Sequence, residues 1–419
     1  MSVLHSALGY VALLALAWLA GRRQRQLPWR TILIATLLQV GGTALLLLTG
    51  LRGQVFGLVN GLTQLLKATA LKASESLLFI GVSNPQFTQT YGPIIALEIA
   101  AILIFMASLS RLLYHYRVLP WIIAQLSRFM QRLMGLSAAE SVSAAANVFL
   151  GMVESPLFIR PYVARLTESE LFCVMSAGLA GIAGTVMVVY ATMLSPINPD
   201  MAGHLFVASL ISAPAAIAVA KIMFPESGQP ETAGQHLELP ADDTLNGLDA
   251  AAQGAAEGMQ LFLNIAAMLV AFIGLVALGN TAVGALDHWI NGAAAGAWSL
   301  QAAAGYLFRL PVWLMGIPWQ ETQAAGELMG IKTVLNEFVA YMELARRMRE
   351  AAPLSERSFV ILSYALCSFA NFGSVAIMIG GIGGIAPQRR GDLARLGLRS
   401  LLAGTIAAML TGCVVGLFL

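Results

Sequence analysis

The sequence predicts an all-α polytopic membrane protein: eight transmembrane helices, two opposed re-entrant helical hairpins and interfacial helices, arranged as inverted repeats. Three observations predict it. Hydrophobic residues make up 58% of the 419 and charged residues only 11%, where a soluble domain carries about 25% charged. Apolar runs long enough to cross a hydrocarbon core of about 30 Å recur along the chain. Two stretches of the same character each hold one glutamate: N-V-F-L-G-M-V-E-S-P (147–156) around Glu154, and G-I-K-T-V-L-N-E-F-V-A-Y (330–341) around Glu337. An acidic side chain at bilayer depth costs about 3 kcal/mol and faces a water-filled cavity or a partner by default. Gly151 and Pro156 oppose an unbroken helix, so the chain there is expected to enter the membrane, turn and leave.

Taken in order, residues 4–20 and 31–48 form the first two spans. Residues 51–83 are only moderately apolar, with Lys67, Lys72 and Glu75, and read as an amphipathic interfacial helix. The third span is 91–108; residues 111–132, with four arginines among Trp121, Ile122 and Leu126, form another interfacial helix. Residues 137–160 are too interrupted for a plain span and make the first hairpin. Spans follow at 170–190, glycine-rich at its centre, and at 204–224. The stretch 226–258 is polar and reads as a mobile linker. Beyond it come a span at 259–278, an Ala- and Gly-rich interfacial segment with three tryptophans at 285–315, and the second hairpin at 321–345. The last two spans are 358–377, with Asn371 at its apolar heart, and 401–419. This divides the chain into scaffold (1–135), first repeat (136–225), cytoplasmic linker (226–258) and second repeat (259–419).

Charge and the minor residues bound the rest. The arginine clusters after span one, after span three and before the last span can all be cytoplasmic, which leaves both termini periplasmic. Arg346, Arg347 and Arg349 fall on the opposite side, partly neutralised by Glu343 and Glu350. A net charge of +2 gives no reason to expect nucleic acid. Cys173, Cys367 and Cys413 lie in apolar segments and read as core residues, and the five histidines are scattered. The N-terminus has no charged region before its first apolar run, so that run is expected to be a retained span and not a signal peptide.

Each half carries a hairpin with a glutamate near its tip, followed by a span interrupted at mid-depth. This is the inverted-repeat logic of secondary transporters, whose sites lie where broken helices meet. At the residue level the motifs are N-V-F-L-G-x-x-E-x-P-L-x-I-R-P-Y (147–162), S-E-L-F-x-V-M (169–175), I-A-G (182–184), G-x-K-x-x-x-N-E-F-V-A-Y (330–341), Y-A-L-C-x-F-A-N-F-G-S (364–374) and I-G-G-I (379–382). In these the sequence resembles the concentrative nucleoside transporter family, from residue 137 to the end and less clearly before it. The resemblance implies a homotrimer in the bacterial inner membrane, in contact with lipid, each protomer moving a transport domain past a fixed scaffold in cation-coupled nucleoside uptake. It implies that Glu337, Asn371 and Ser374 hold the ribose, that Met152, Val153 and Glu154 meet the base, and that Phe369 and Val186 pack beside it. It places sodium as the coupling ion, with no other cofactor, at the Asn147 side chain and at backbone near Leu150, Gly181 and Ile182. The residue types suit these roles: a carboxylate and an amide can together accept from and donate to sugar hydroxyls, and an aromatic ring suits the face of a base.

The chain departs from the family pattern twice. Met152-Val153 stands where Gln-Thr is common, and Gly181 stands where a hydroxyl residue is common. The first bears on the base, the second on sodium against protons. A proton-coupled transporter of a modified nucleoside or nucleoside-like compound is therefore the alternative. A membrane hydrolase lacks any nucleophile–histidine or metal motif to accompany its two carboxylates, and a passive channel explains only that polar residues are present.

Overall fold

The computed structural model describes residues 2–22, 27–78, 95–237, 239–240, 242–292 and 298–419. Among them every regular element is helical. Two membrane-length helices, α1 (Ser2–Ala20) and α2 (Trp29–Leu48), precede α3 (Leu51–Leu78) and α4 (Ile95–His115). Seven segments among the described residues are long and apolar enough to cross a membrane, and α3 is not one of them. The expected stretch 79–83, the start of the third span at 91–94, and Arg23 and Arg25 of the first arginine cluster lie outside the described residues.

The expected boundary near residue 108 is displaced. Helix α4 runs through Arg111 to His115, and the chain then turns at Arg117, whose φ is 59°. The amphipathic α5 (Val118–Met134) begins only after that turn and ends at Gly135, whose φ of 68° suits a residue without a Cβ. Next comes the first helix–turn–helix: α6 (Ala138–Asn147), an irregular tip, a 3-10 turn (Ser155–Ile159) and α7 (Arg160–Val163). Ser137 caps α6 in a reciprocal capping box with Glu140. The span expected at 170–190 is two helices, α8 (Glu168–Ala180) and α9 (Gly184–Leu194), broken at 181–183. Thr167 and Glu170 repeat the capping box at the start of α8.

Helix α10 (Met201–Met223) is the central pillar, with nearly every residue buried. Its Lys221 is buried and ion-paired with the buried Glu140 at the base of the first hairpin. The polar linker is shorter than composition suggests: residues 247–258 are the first turns of α11 (Gly247–Asn291), a single helix of 45 residues capped by Asn246. Those turns read as loop because they are polar, yet they are helical because Gly254 and Gly258 allow close packing on α4. A Cβ at either would come within 2.6 Å of the α4 backbone, at Ala107 O and Ile104 Cα respectively. Small residues four apart permit this approach of two helices.

The segment expected at 285–315 is also divided. Its beginning completes α11, 293–297 lie outside the described residues, and α12 (Leu300–Leu314) packs on α13 (Thr322–Val334). Here too glycine sets the distance, since a Cβ at Gly326 would lie 2.4 Å from Gly305 O. The second helix–turn–helix is α13 followed by α14 (Glu337–Arg347). The span expected at 358–377 is again a broken pair, α15 (Glu356–Leu366) and α16 (Phe372–Ile385). Last comes α17 (Arg390–Gly416), whose first turns contain Arg390, Arg395 and Arg399 instead of following them. Arg346 and Arg347 are paired with Glu343, Glu350 and Glu327, so the discordant cluster is largely neutralised.

Candidate substrate and cation site

Three irregular segments meet in the interior: the first hairpin tip (148–154), the break between α8 and α9, and the break between α15 and α16. Phe369 N donates to Gly181 O at 3.1 Å, and Gly184 N donates to Phe149 O at 3.0 Å. Backbone freed from helical pairing is tolerated at membrane depth only where protein or a cavity receives it, and here the freed groups of one break bond those of the next.

Glu337 is the first residue of α14, where the helix dipole favours an anion. Asn336 before it caps the helix by accepting from Val339 N at 3.0 Å. Asn371 caps α16 in the same manner, accepting from Ser374 N at 2.7 Å. Its amide nitrogen donates to Glu337 Oε2 at 3.2 Å, and the Tyr190 hydroxyl of α9 donates to Glu337 Oε1 at 2.7 Å. Glu337 is thus 6% exposed with both oxygens engaged. A carboxylate has about four acceptor positions; these two donors leave room for a pair of hydroxyls.

Glu337, Asn371 and Ser374, separate in sequence, are therefore brought to one place. Tyr190 joins them unannounced by any motif. It stacks on Tyr341 with centroids 4.5 Å apart, and the Tyr341 hydroxyl is fixed by Ser363 O at 2.7 Å. The signal available was chemical: a tyrosine buried in an apolar helix needs an acceptor, and Glu337 was the acid at hand. Phe369 is half-buried beside Asn371, and Val186 is buried in the first turn of α9. Lys332 is fully buried, and its Nζ has no hydrogen-bond partner among the described residues.

The first hairpin residues do not act as a single face. Met152 is buried against Gly178, where a Cβ would lie 3.2 Å from its own, and Val153 packs toward Gly381 of α16. Glu154 folds back so that Oε2 accepts from Gly151 N at 2.5 Å. It remains exposed to a cavity of about 470 Å3 that it shares with Leu150 and Thr185 on one side and with Arg111, Asp242 and Glu257 on the other. Glu337, Asn371 and Ser374 do not line that cavity.

On the cation side, Asn147 closes α6, and its Nδ2 donates to Ala177 O at 2.7 Å. Its Oδ1 is buried with no hydrogen-bond partner among the described residues. Gly181 and Ile182 sit in the adjoining break and Leu150 at the hairpin tip. A buried oxygen that lacks a donor is costly unless something binds it. An amide oxygen beside irregular backbone is the donor chemistry a hard cation takes, so these residues fit sodium.

Three family models match the chain: "Na+ dependent nucleoside transporter N-terminus" at 8–75, "Nucleoside recognition" at 96–197 and "Na+ dependent nucleoside transporter C-terminus" at 204–416. An uncharacterised transporter of Haemophilus influenzae is 39% identical over 100% of this chain and 98% of its own. The nucleoside permease NupC of Helicobacter pylori is 36% identical, again over 100% and 98%. Among solved structures, CNTnw in an inward-facing substrate-bound state superposes with a TM-score of 0.92 at 37% identity, covering 100% of this chain and 98% of that one. A doubly substituted CNTnw in an outward-facing state gives 0.93 at the same identity, covering 100% and 99%. The all-helical membrane fold, the paired hairpins at the interior junction and these matches agree: the chain belongs to the concentrative, Na+-dependent nucleoside transporter family, whose members are transporters and not enzymes.

Proposed function

We propose that this protein is a sodium-coupled symporter that imports nucleosides across the bacterial inner membrane by alternating access. The observation that carries the reading is the Glu337–Asn371–Tyr190 cluster, where two helix N-termini present a buried carboxylate with unused acceptor capacity. A ribose meets it with hydroxyls that donate to Glu337 and accept from the second hydrogen of the Asn371 amide, with Ser374 beside them. Phe369 and Val186 flank the base, and Glu154 with Met152 and Val153 sets the base side of the route. Sodium takes Asn147 Oδ1 and backbone oxygens near Leu150, Gly181 and Ile182.

Residues 1–135 form the scaffold. Helix α11 joins it, because it lies along α4 through Gly254 and Gly258. The two hairpins and the broken helices move against this frame. Alternating access draws support from the solved relative, described in both inward- and outward-facing states. A homotrimer with both termini periplasmic completes the reading; the outer face of α11, with Val270, Leu275 and Leu278 exposed, supplies apolar surface for lipid or a second copy.

The test is uptake of labelled nucleoside into proteoliposomes under imposed gradients. An inward sodium gradient drives accumulation above equilibrium, and dissipating it abolishes accumulation. Accumulation driven by a proton gradient alone contradicts sodium coupling and favours the proton-coupled alternative; equilibration without accumulation contradicts symport.

A further inference from the structure

The departure at Gly181 raises a question of chemistry: where the family commonly places a hydroxyl, this chain has only backbone. The structure answers it from another helix. A Cβ at Gly181 would lie 3.1 Å from Asn147 Nδ2 and 3.1 Å from Ser212 Oγ. Ser212 belongs to α10, thirty-one residues further along the chain, and its oxygen borders the gap that the missing side chain leaves.

The hydrogen bonds around it fix which part of that hydroxyl faces the gap. Ser212 donates its proton to Ser209 O, one turn back in α10, at 2.7 Å. The lone pairs are what remain for a ligand. Ser209 in turn donates to Val148 O at 3.2 Å, which holds α10 against the hairpin tip directly after Asn147. On the other side of the gap, Asn147 spends its nitrogen on Ala177 O and keeps a buried Oδ1 without a partner among the described residues. Asn147 and Ser212 are both over nine-tenths buried. The gap is thus bordered by the Ser212 hydroxyl oxygen and by the Asn147 amide, whose nitrogen is committed to Ala177 O and whose oxygen has no donor among the described residues. A hard monovalent cation takes such oxygens.

We propose that Ser212 supplies, from α10, the hydroxyl ligand to sodium that Gly181 lacks. The inference rests on the sodium reading given above. It adds a consequence: α10, the pillar of the core, senses the ion directly. Sodium then ties α10 to the first hairpin and to the α8–α9 break.

Thermal unfolding of the detergent-solubilised protein tests it without relying on transport. Tm is measured in sodium chloride against choline chloride at matched ionic strength. A ligand at free concentration L that binds only the folded state stabilises it by RT ln(1 + L/Kd), so Tm begins to climb as L passes Kd. The wild type is expected to show a sodium-specific rise that grows with the logarithm of sodium concentration. Ser212→Ala is expected to raise the sodium concentration needed for a given rise in Tm at least tenfold while its Tm in choline chloride stays within a degree or two. Ser212→Ala combined with Gly181→Ser is expected to bring it back toward the wild-type value, since loss of the Ser212 oxygen makes room for the new side chain. A Ser212→Ala variant with an unchanged sodium response overturns the role of Ser212 alone. A wild type with no sodium-specific rise overturns the sodium reading and this role with it. Should Ser212→Ala fail to fold, Gly181→Ala is the second variant. Its Cβ crowds the same gap and must also weaken the sodium response, and an unchanged response overturns the proposal.

Discussion

The two helical hairpins each carry one glutamate near the tip and differ in how completely the polar groups around it are satisfied. Around the second, Glu337 receives Tyr190 and Asn371, Asn371 receives Ser374, and Tyr341 is fixed by Ser363. Around the first, among the described residues, Glu154 bonds only its own turn and opens on a cavity, and the Asn147 side-chain oxygen lacks a donor. The Glu337 cluster of the second hairpin is preorganised before any ligand arrives, while Lys332 Nζ in α13 has no hydrogen-bond partner among the described residues. The first is left incomplete at its tip while its base is clamped by the Lys221–Glu140 pair. In physical terms a completed network holds one geometry and an incomplete one awaits a partner. We therefore assign substrate recognition chiefly to the second hairpin and ion sensing to the first.

The largest expected effect attacks the clamp. Lys221→Ala leaves Glu140 buried and unpaired, which costs about 3–5 kcal/mol; thermal unfolding should show a loss of many degrees, and removal of both charges together should cost less than the single change. A single variant as stable as wild type would show that the base of the first hairpin is not clamped by this pair. Next, Glu337→Gln removes the charge that Tyr190 and Asn371 address and should lower nucleoside uptake at least ~100-fold, because buried donors are then left poorly matched. Tyr190→Phe removes one bond to a charged acceptor, worth about 1.5–3 kcal/mol, and should raise the KM for nucleoside at least ~10-fold. Equal effects from Glu154→Gln would erase the contrast between the hairpins. The smallest effect is expected from Met152→Gln with Val153→Thr, which should alter the relative competition of different bases a few-fold and leave the dependence on the ribose hydroxyls unchanged.

Much of this architecture was legible in the chain, for reasons that differ by region. Long apolar runs located most spans, and the glycines and Asn371 announced the two broken helices, because polar or flexible residues at membrane depth need a structural reason. Helix α11 was harder. Its opening turns are polar, since they project past the apolar stretch, and they are held to α4 by the close approach at Gly254 and Gly258 and by bonds from Ser108 to Ala251 O and from Arg111 to Gln253. The arginines of α17 misled similarly: Arg390, Arg395 and Arg399 continue the helix beyond its apolar part. Motifs marked Glu337, Asn371 and Ser374, which lie together in the structure, whereas Tyr190 had no motif to mark it. Nor could spacing show that Met152 and Val153 turn toward Gly178 and Gly381, or that Lys332 is enclosed. Such directions depend on contacts between segments far apart in sequence.

The central claim is that the second hairpin recognises the sugar through its hydroxyls. Its most direct test is competition against labelled nucleoside in proteoliposomes, using the same nucleoside, its 2′,3′-dideoxy analogue and the free base. Unlabelled nucleoside should compete fully, and both the dideoxy analogue and the free base should be at least ~30-fold weaker, with that gap largely lost in Glu337→Gln. Equal competition by all three in the wild type would contradict the claim.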